Sequence, residues 1–349
     1  MMISRLPIFV LLASNFIIST ATLAEDATPP SVQKCALTQL ASLPITIGEE
    51  IISVPTVPVA IGAVPASFAV GLAKPYTAIT LDVAKANRIQ PEFYEPHRTG
   101  FYLNRLTRGS AIVPSLTVGK AVAPNVRAIV LAPSAGIDGI LGTDLLLRTD
   151  IELNLKARKL NMFSQDHCPG QAVYWGRAFT TLPMTFDEQN VPVFQMQLDG
   201  KSISVKLDPT KSQATMQRDV AETLFGLTPK TAGVKLRNDI VTVSVTSGSL
   251  HAPSDEEMRE YEFTFNDLSL NGIDVRNLHV LLEGSPPRQA CSGGAKQTVM
   301  MITPEQCNSG VDLVIGRDEL RAMRLYFSFK EKMLYVTAAD PDSASEGAH

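Results

Sequence analysis

The sequence predicts a mainly β protein that contains two copies of one strand-rich unit. The first observation is a gapless match of 26 positions, in which residues 137–162 lie over residues 311–336. In both segments an apolar strand ends in a glycine (Gly142 or Gly316), a short helix follows, and a hairpin closes the unit. The second observation is an earlier pair of hairpin-like segments, residues 59–70 and 194–207, each followed by a tight turn and a short helical stretch. A duplicated chain is therefore expected.

The N-terminus has the order of a secretory signal peptide. Arg5 precedes an apolar run over residues 6–18, and small residues follow over 19–24, so cleavage is expected after Ala24. A membrane anchor is the alternative, but the run is short for a bilayer and no Lys/Arg cluster follows it. We therefore expect a periplasmic or secreted protein with no membrane span. A formal charge of −4 without a basic stripe argues against a nucleic-acid partner.

Four cysteines in an exported chain favour two disulfides, and four cysteines allow three pairings. We expect Cys35–Cys168, because these residues bracket the first repeat. We expect Cys291–Cys307, because both lie in an insertion of the second repeat that lacks a strand pattern. The spacings contain no CxxC, so no metal site is expected.

These observations divide the chain into five parts. We expect a signal peptide over 1–24, an N-terminal segment over 25–50, a first lobe over 51–168, a second lobe over 169–340 and a disordered tail over 341–349. The pair Tyr174-Trp175, at the lobe boundary, is expected to pack between the lobes.

The closing segments resemble the retropepsin-like aspartic proteases, the clan that includes the two-lobed pepsins. Ile140-Leu141-Gly142 and Val314-Ile315-Gly316 are similar to the family's element that braces the active-site loop. The strand that enters Asp208 resembles the strand that delivers the family's Asp-Thr/Ser-Gly triplet. The resemblance implies two six-to-seven-stranded barrels that face each other across a cleft with pseudo-two-fold symmetry. It also implies a polypeptide substrate or protein partner, and no cofactor.

The triplet positions depart from the family pattern. Its chemistry needs two facing carboxylates that share a proton, one acting as general base and one as general acid. The first repeat offers Gly71-Leu72-Ala73 and the second Asp208-Pro209-Thr210, so only Asp208 supplies a carboxylate. If Lys211 lay near Asp208, it would hold that carboxylate ionised. Asp82 follows Gly71 but is better explained as the acid of a helix N-terminus.

Two functions remain open at this point, and the first is favoured. One is an inactive protease-like protein that binds an extended polypeptide or a periplasmic partner in its cleft. The other is an active aspartic endopeptidase that combines Asp208 with an unidentified second carboxylate or with a dimer mate. If the protein is inactive, Asp208→Asn is expected to leave folding and any partner binding nearly unchanged. A hairpin over residues 104–118 is the candidate flap; the sequence does not give the oligomeric state.

Overall fold

The computed structural model describes residues 35–48, 54–95, 101–103, 105–133, 136–238, 259–284 and 311–339. Several sequence-based expectations lie outside these residues. They are the signal peptide, the Cys291–Cys307 disulfide and the C-terminal tail.

The first half of the described chain consists of twelve strands and two short helices. In chain order they are β1 Gln39–Pro44, β2 Thr46–Ile47, β3 Pro55–Ile61, β4 Val64–Val70, β5 Ala78–Thr80, α1 Leu81–Ala86, β6 Glu92–Phe93, β7 Phe101–Tyr102, β8 Arg105–Val118, β9 Ala121–Leu131, β10 Gly139–Leu141, α2 Thr143–Leu146, β11 Asp150–Asn154 and β12 Lys159–Phe163.

The second half repeats most of this order. Its elements are β13 Thr180–Phe186, β14 Pro192–Leu198, β15 Lys201–Leu207, β16 Ala214–Gln217, α3 Arg218–Phe225, β17 Lys235–Asn238, β18 Glu260–Ser269, β19 Asp274–Glu283, β20 Leu313–Ile315, α4 Arg317–Leu320, β21 Met323–Ser328 and β22 Met333–Ala338.

Each half forms a closed barrel of six strands. In the first lobe the order is β3-β4-β10-β5-β9-β8, and pairing of β3 with β8 closes the ring. In the second lobe the order is β14-β15-β20-β16-β19-β18, and pairing of β14 with β18 closes it. The two rings use equivalent strands in the same order, including parallel pairs in the interior of each. The predicted fold class, two tandem barrels in a mainly β chain, is confirmed.

A six-stranded sheet joins the lobes, in the order β1-β12-β11-β21-β22-β13. At its centre Glu152 pairs with Tyr326, which is the residue that the sequence match places over Glu152. The flanking pairs, Ile151 with Phe327 and Leu153 with Leu325, exchange under the same match. A residue can pair with its own duplicate only where a two-fold axis passes between them. The pseudo-two-fold axis therefore crosses this sheet between β11 and β21.

The core follows from the strand patterns. The ends of the inner barrel strands are buried on both faces, since Ala69 and Lys206 are buried like their neighbours in the chain. Those neighbours are apolar: Phe68 and Val70 in the first lobe, and Val205 and Leu207 in the second. The same residues belong to one apolar cluster that runs through both lobes, so the repeat buries a shared core.

The predicted Cys35–Cys168 disulfide is present, with its Cα atoms 5.0 Å apart. It links the residues before β1 to the residues after β12, which are neighbours in the central sheet. Trp175 packs on that sheet, where its Nε1 donates to Thr337 Oγ1 over 2.9 Å and its ring lies 4.1 Å from the Arg324 guanidinium. None of the described helices has the length and apolarity that crossing a membrane requires.

Candidate functional site

The two triplet positions lie on loops with the same backbone construction. Gly71 follows β4 and donates its N–H to Leu141 O over 2.9 Å. Asp208 follows β15 and donates its N–H to Ile315 O over the same distance. Strand register agrees, because Val70 pairs with Leu141 and Leu207 pairs with Ile315. Gly71 and Asp208 therefore occupy equivalent positions in the two lobes.

Each loop is closed by a second pair of backbone hydrogen bonds. In the first lobe Lys74 N donates to Gly71 O over 3.0 Å, and Thr143 N donates to Lys74 O over 2.8 Å. In the second lobe Lys211 N donates to Asp208 O over 3.1 Å, and Arg317 N, at the start of α4, donates to Lys211 O over 2.8 Å. These bonds place a lysine at the fourth position of both loops.

Gly142 and Gly316 contact the loops directly. A Cβ atom on Gly142 would lie 2.3 Å from the carbonyl carbon of Tyr76, and one on Gly316 would lie 2.4 Å from Gln213 O. Neither distance is available to real atoms, and the obstacle in both places is backbone. Only glycine fits between each short helix and the loop that it contacts.

Asp208 is almost fully buried and has three polar contacts. Its Oδ1 accepts from Thr210 N over 3.0 Å and from Thr210 Oγ1 over 2.5 Å. Its Oδ2 lies 3.2 Å from Lys74 Nζ, which comes from the loop of the other lobe and is also buried. Pro209 has no N–H to donate, so the amide and the hydroxyl of Thr210 supply both hydrogen bonds to Oδ1. Asp208 is therefore not a solvated turn residue.

This environment favours the carboxylate form. Burial by itself would raise the pKa of Asp208, but the Lys74 ammonium, the two Thr210 donors and the Lys211 ammonium outweigh burial and lower that pKa below its ordinary value. The site therefore contains an ion pair between the lobes.

The lysine that contacts Asp208 is not the one that the sequence suggested. Lys211 Nζ lies 2.6 Å from Glu283 Oε1, and both side chains are partly exposed. Lys74, the residue equivalent to Lys211 in the first loop, reaches across the lobes instead. The repeat could have indicated Lys74 as a second candidate, because extending the match of Gly71 with Asp208 by three residues places Lys74 over Lys211.

The first loop offers no carboxylate and little space for one. A Cβ atom on Gly71 would lie 2.7 Å from Leu141 O and 2.9 Å from Lys74 Cβ. Leu72 is buried in the core and Ala73 is half-buried. Asp82 lies exposed in the first turn of α1, where Thr80 is the N-cap, as the sequence indicated.

A hairpin covers the first loop. Tyr102 in β7 donates its hydroxyl to Tyr76 O over 2.6 Å and accepts from Tyr76 N over 2.9 Å. The expected hairpin over 104–118 is wrong, because Arg105–Val118 is one continuous strand. Its pairing with β9 continues to Val118, and the turn falls at Gly119, whose φ of +59° suits glycine. The covering hairpin is instead the short pair β7–β8.

The described residues contain no group of three His, Cys, Asp or Glu side chains that could hold a metal ion. The histidine beside Cys168 has another role: His167 lies within 2.6 Å of Asp150 Oδ2 and 3.2 Å of Glu331 Oε1, beneath the central sheet. Ser328 Oγ also lies 3.3 Å from Nε2, the nitrogen that faces Asp150. A Ser-His-Asp catalytic triad needs the acid and the serine on opposite ring nitrogens, so this cluster is structural.

Comparison with protein-family models and with curated proteins finds no match. Among solved structures the chain is similar to the crystal structure of an aspartic proteinase from Irpex lacteus, with 13% identity and a TM-score of 0.48. The alignment covers 87% of this chain and 99% of that one. The fold assignment rests on the strand pairing: two closed six-stranded barrels, equivalent loops, and a central sheet crossed by the pseudo-two-fold axis. The chain therefore has two closed barrels related by a pseudo-two-fold axis, the arrangement that the sequence resemblance implied.

Proposed function

We propose that this protein is a catalytically inactive relative of the aspartic proteases that binds an extended polypeptide or a protein partner in its cleft. The observation that carries the proposal is the buried contact of 3.2 Å between Lys74 Nζ and Asp208 Oδ2. It occupies the place where a second carboxylate would be required.

Peptide hydrolysis by this fold divides two tasks between two carboxyl groups. One group activates water, and the other protonates the carbonyl oxygen of the substrate. Both tasks depend on a proton that two close carboxylates share. The ammonium of Lys74 takes the place of that proton, because it balances the negative charge of Asp208 directly. A carboxylate held in this way has no proton to give.

The first loop is also shaped against a second carboxylate. Any side chain at Gly71 would collide with the backbone of Leu141 and with the lysine that pairs Asp208. An active arrangement would require the loop to move and Lys74 to leave. No described residue favours the alternative of an active peptidase assisted by another group.

The surface beside the pair suits a bound chain. Tyr76 follows Lys74 by two residues and leaves half of its side chain exposed, although its backbone is held by Tyr102. Exposed aromatic side chains are frequent anchors in polypeptide recognition, and exposed strands can pair with an extended peptide. The disulfide Cys35–Cys168 fits a periplasmic or secreted location, where thiols are oxidised.

One experiment with two readouts tests this proposal. A degenerate library of unstructured decapeptides is incubated with the mature chain from about pH 3 to pH 7, the range over which a carboxylate pair would share a proton. We expect mass spectrometry to recover every peptide intact and fluorescence anisotropy to detect binding. Tyr76→Ala is expected to weaken binding, whereas Val122→Ala, an exposed residue in β9, should not.

Hydrolysis by the wild-type chain that disappears in Asp208→Asn would overturn the proposal and support the active alternative. Intact peptides with no binding at any pH would overturn the binding function alone.

A further inference from the structure

Arg105 is a buried cation without a counter-charge among the residues that the structure describes. Its residue exposure is 8%, and its Nη1 atom is buried without a hydrogen-bond partner there. Burial is the cause that lowers the pKa of its guanidinium, and no acidic group offsets that shift. A buried charge normally has a partner, because desolvating an unpaired ion is costly.

Arg105 lies beside the cleft. It is the first residue of β8 and pairs directly with Tyr102 in β7. Side chains of directly opposed residues share one face of a hairpin. The hydroxyl of Tyr102 is bonded to the backbone of Tyr76, two residues after Lys74. Arg105 therefore belongs to the same cover over the first loop.

The buried neighbours of Tyr102 on this hairpin are apolar. Tyr102 packs in a cluster whose other buried members are Val54, Ala69, Ala78, Leu131, Ile137 and Ile140. None of these other side chains can accept a hydrogen bond from a guanidinium. Among the residues that the structure describes, Arg105 Nη1 has no acceptor, and an acceptor on a bound ligand would satisfy it.

We infer that Arg105 binds a carboxylate of the polypeptide that occupies the cleft, an inference that rests on the proposed function. A guanidinium presents two parallel N–H donors that match a carboxylate, and the pair is strongest where water is excluded. The carboxylate belongs to an acidic side chain or to the C-terminus of the bound chain. Strand β7 contributes two residues to the hairpin, so few backbone bonds hold the cover that the ligand must displace.

The test uses degenerate decapeptides in three matched sets. One has a central Asp and a C-terminal amide, one has a central Asn and a free C-terminal carboxylate, and one has a central Asn and an amide. We expect the wild-type chain to bind at least one carboxylate set about tenfold or more tightly than the uncharged set, the size of a charge-assisted hydrogen bond. The set that gains affinity identifies the source of the carboxylate.

Arg105→Gln should bind all three sets equally, and Arg108→Gln is the matched control. Arg108 lies three residues further along β8 but is exposed, so its loss should leave the preference intact. If Arg105→Gln does not fold, the guanidinium ¹⁵N signals of Arg105 in the wild-type chain should shift with a carboxylate set and not with the uncharged set.

Equal affinity of the wild-type chain for the three sets would overturn this inference and leave the proposed function standing. A carboxylate preference that persists in Arg105→Gln, or unshifted Arg105 signals at saturation, would also overturn it. Absence of binding to every set would contradict the proposed function and this inference together.

Discussion

The loops at Gly71 and Asp208 have the same backbone hydrogen bonds, but their lysine side chains have different partners. Their backbone hydrogen bonds to the neighbouring strand are both 2.9 Å, and both place a lysine three residues later. In the first loop the lysine points inward and is buried against Asp208. In the second it is partly exposed and pairs with Glu283.

This difference shows that the loop geometry does not depend on a catalytic carboxylate. The bracing glycines, the parallel strands and the backbone bonds form the same loop whether its first residue is Gly or Asp. What the site can do chemically is decided by a few side chains. Here the first loop has Gly71 in place of a carboxylate, and its lysine crosses between the lobes to form an ion pair with Asp208.

The largest expected effect comes from breaking that pair. Lys74→Met should lower the free energy of unfolding by about 3–5 kcal/mol, because it leaves the Asp208 carboxylate buried without a counter-charge. Denaturant unfolding measures the change. The expectation that Asp208→Asn leaves folding nearly unchanged is revised for a related reason, since that variant removes the carboxylate that lies against the buried Lys74 ammonium.

A double variant separates charge from packing. Lys74→Met combined with Asp208→Leu should recover part of the lost stability, because no buried charge then remains. If Lys74→Met alone is as stable as the wild-type chain, the two side chains do not form the pair that the structure shows.

These same loops show what the sequence could predict and what it could not. The gapless match between the halves predicted the duplication, and the hairpin segments 59–70 and 194–207 predicted the equivalence of Gly71 with Asp208, because strand periodicity and glycine positions are local signals. The two barrels were what the family resemblance implied. The direction of a lysine side chain is not local. Lys74 and Lys211 follow similar strands, and only the approach of the two lobes decides which one is buried against Asp208.

The continuous strand β8 was missed for a related reason. One long strand and a hairpin with a weak turn would have similar alternation of apolar and polar residues over 104–118. The pairing of β8 with β3 and β9 decides that one long strand forms. The partly exposed Arg324, stacked on Trp175, likewise depends on a sheet built from both halves.

The ionic cluster of His167, with Asp150 in the same lobe and Glu331 in the other, should respond to pH in the opposite sense to the Lys74–Asp208 pair. Burial disfavours the charged form of His167, but the Cys168 carbonyl and the carboxylates of Asp150 and Glu331 outweigh it and raise the pKa of the imidazole. A raised pKa means that the stabilisation is complete below the unfolded-state value of about 6.5 and is lost as pH rises through the folded-state value.

Burial also raises the pKa of Asp150, so both groups make the folded chain bind protons more tightly. Urea unfolding between about pH 5 and pH 9 should therefore show stability falling with pH, and His167→Gln should flatten that slope. His279→Gln is the control, because His279 is exposed. An unchanged slope in His167→Gln would show that the cluster is not the source.

The smallest effect is expected at the lysine of the second loop. Lys211→Met removes a partly exposed pair with Glu283 and should change stability by less than about 1 kcal/mol. The same unfolding experiment compares it with Lys74→Met. A loss as large as that of Lys74→Met would show that the two lysines are energetically equivalent, against the comparison drawn from their positions.

The central claim is that Asp208 is held as a carboxylate by a lysine and shares no proton. Carbon-13 NMR of the Asp208 carboxyl group, followed downward from pH 7 in the folded wild-type chain, tests it directly. The midpoint should lie below the ordinary value of 3.8, since the charged neighbours outweigh burial, and should rise in Lys74→Met. A midpoint above 3.8 in the wild-type chain would contradict the account, because it would indicate a carboxyl group that retains a proton for catalysis.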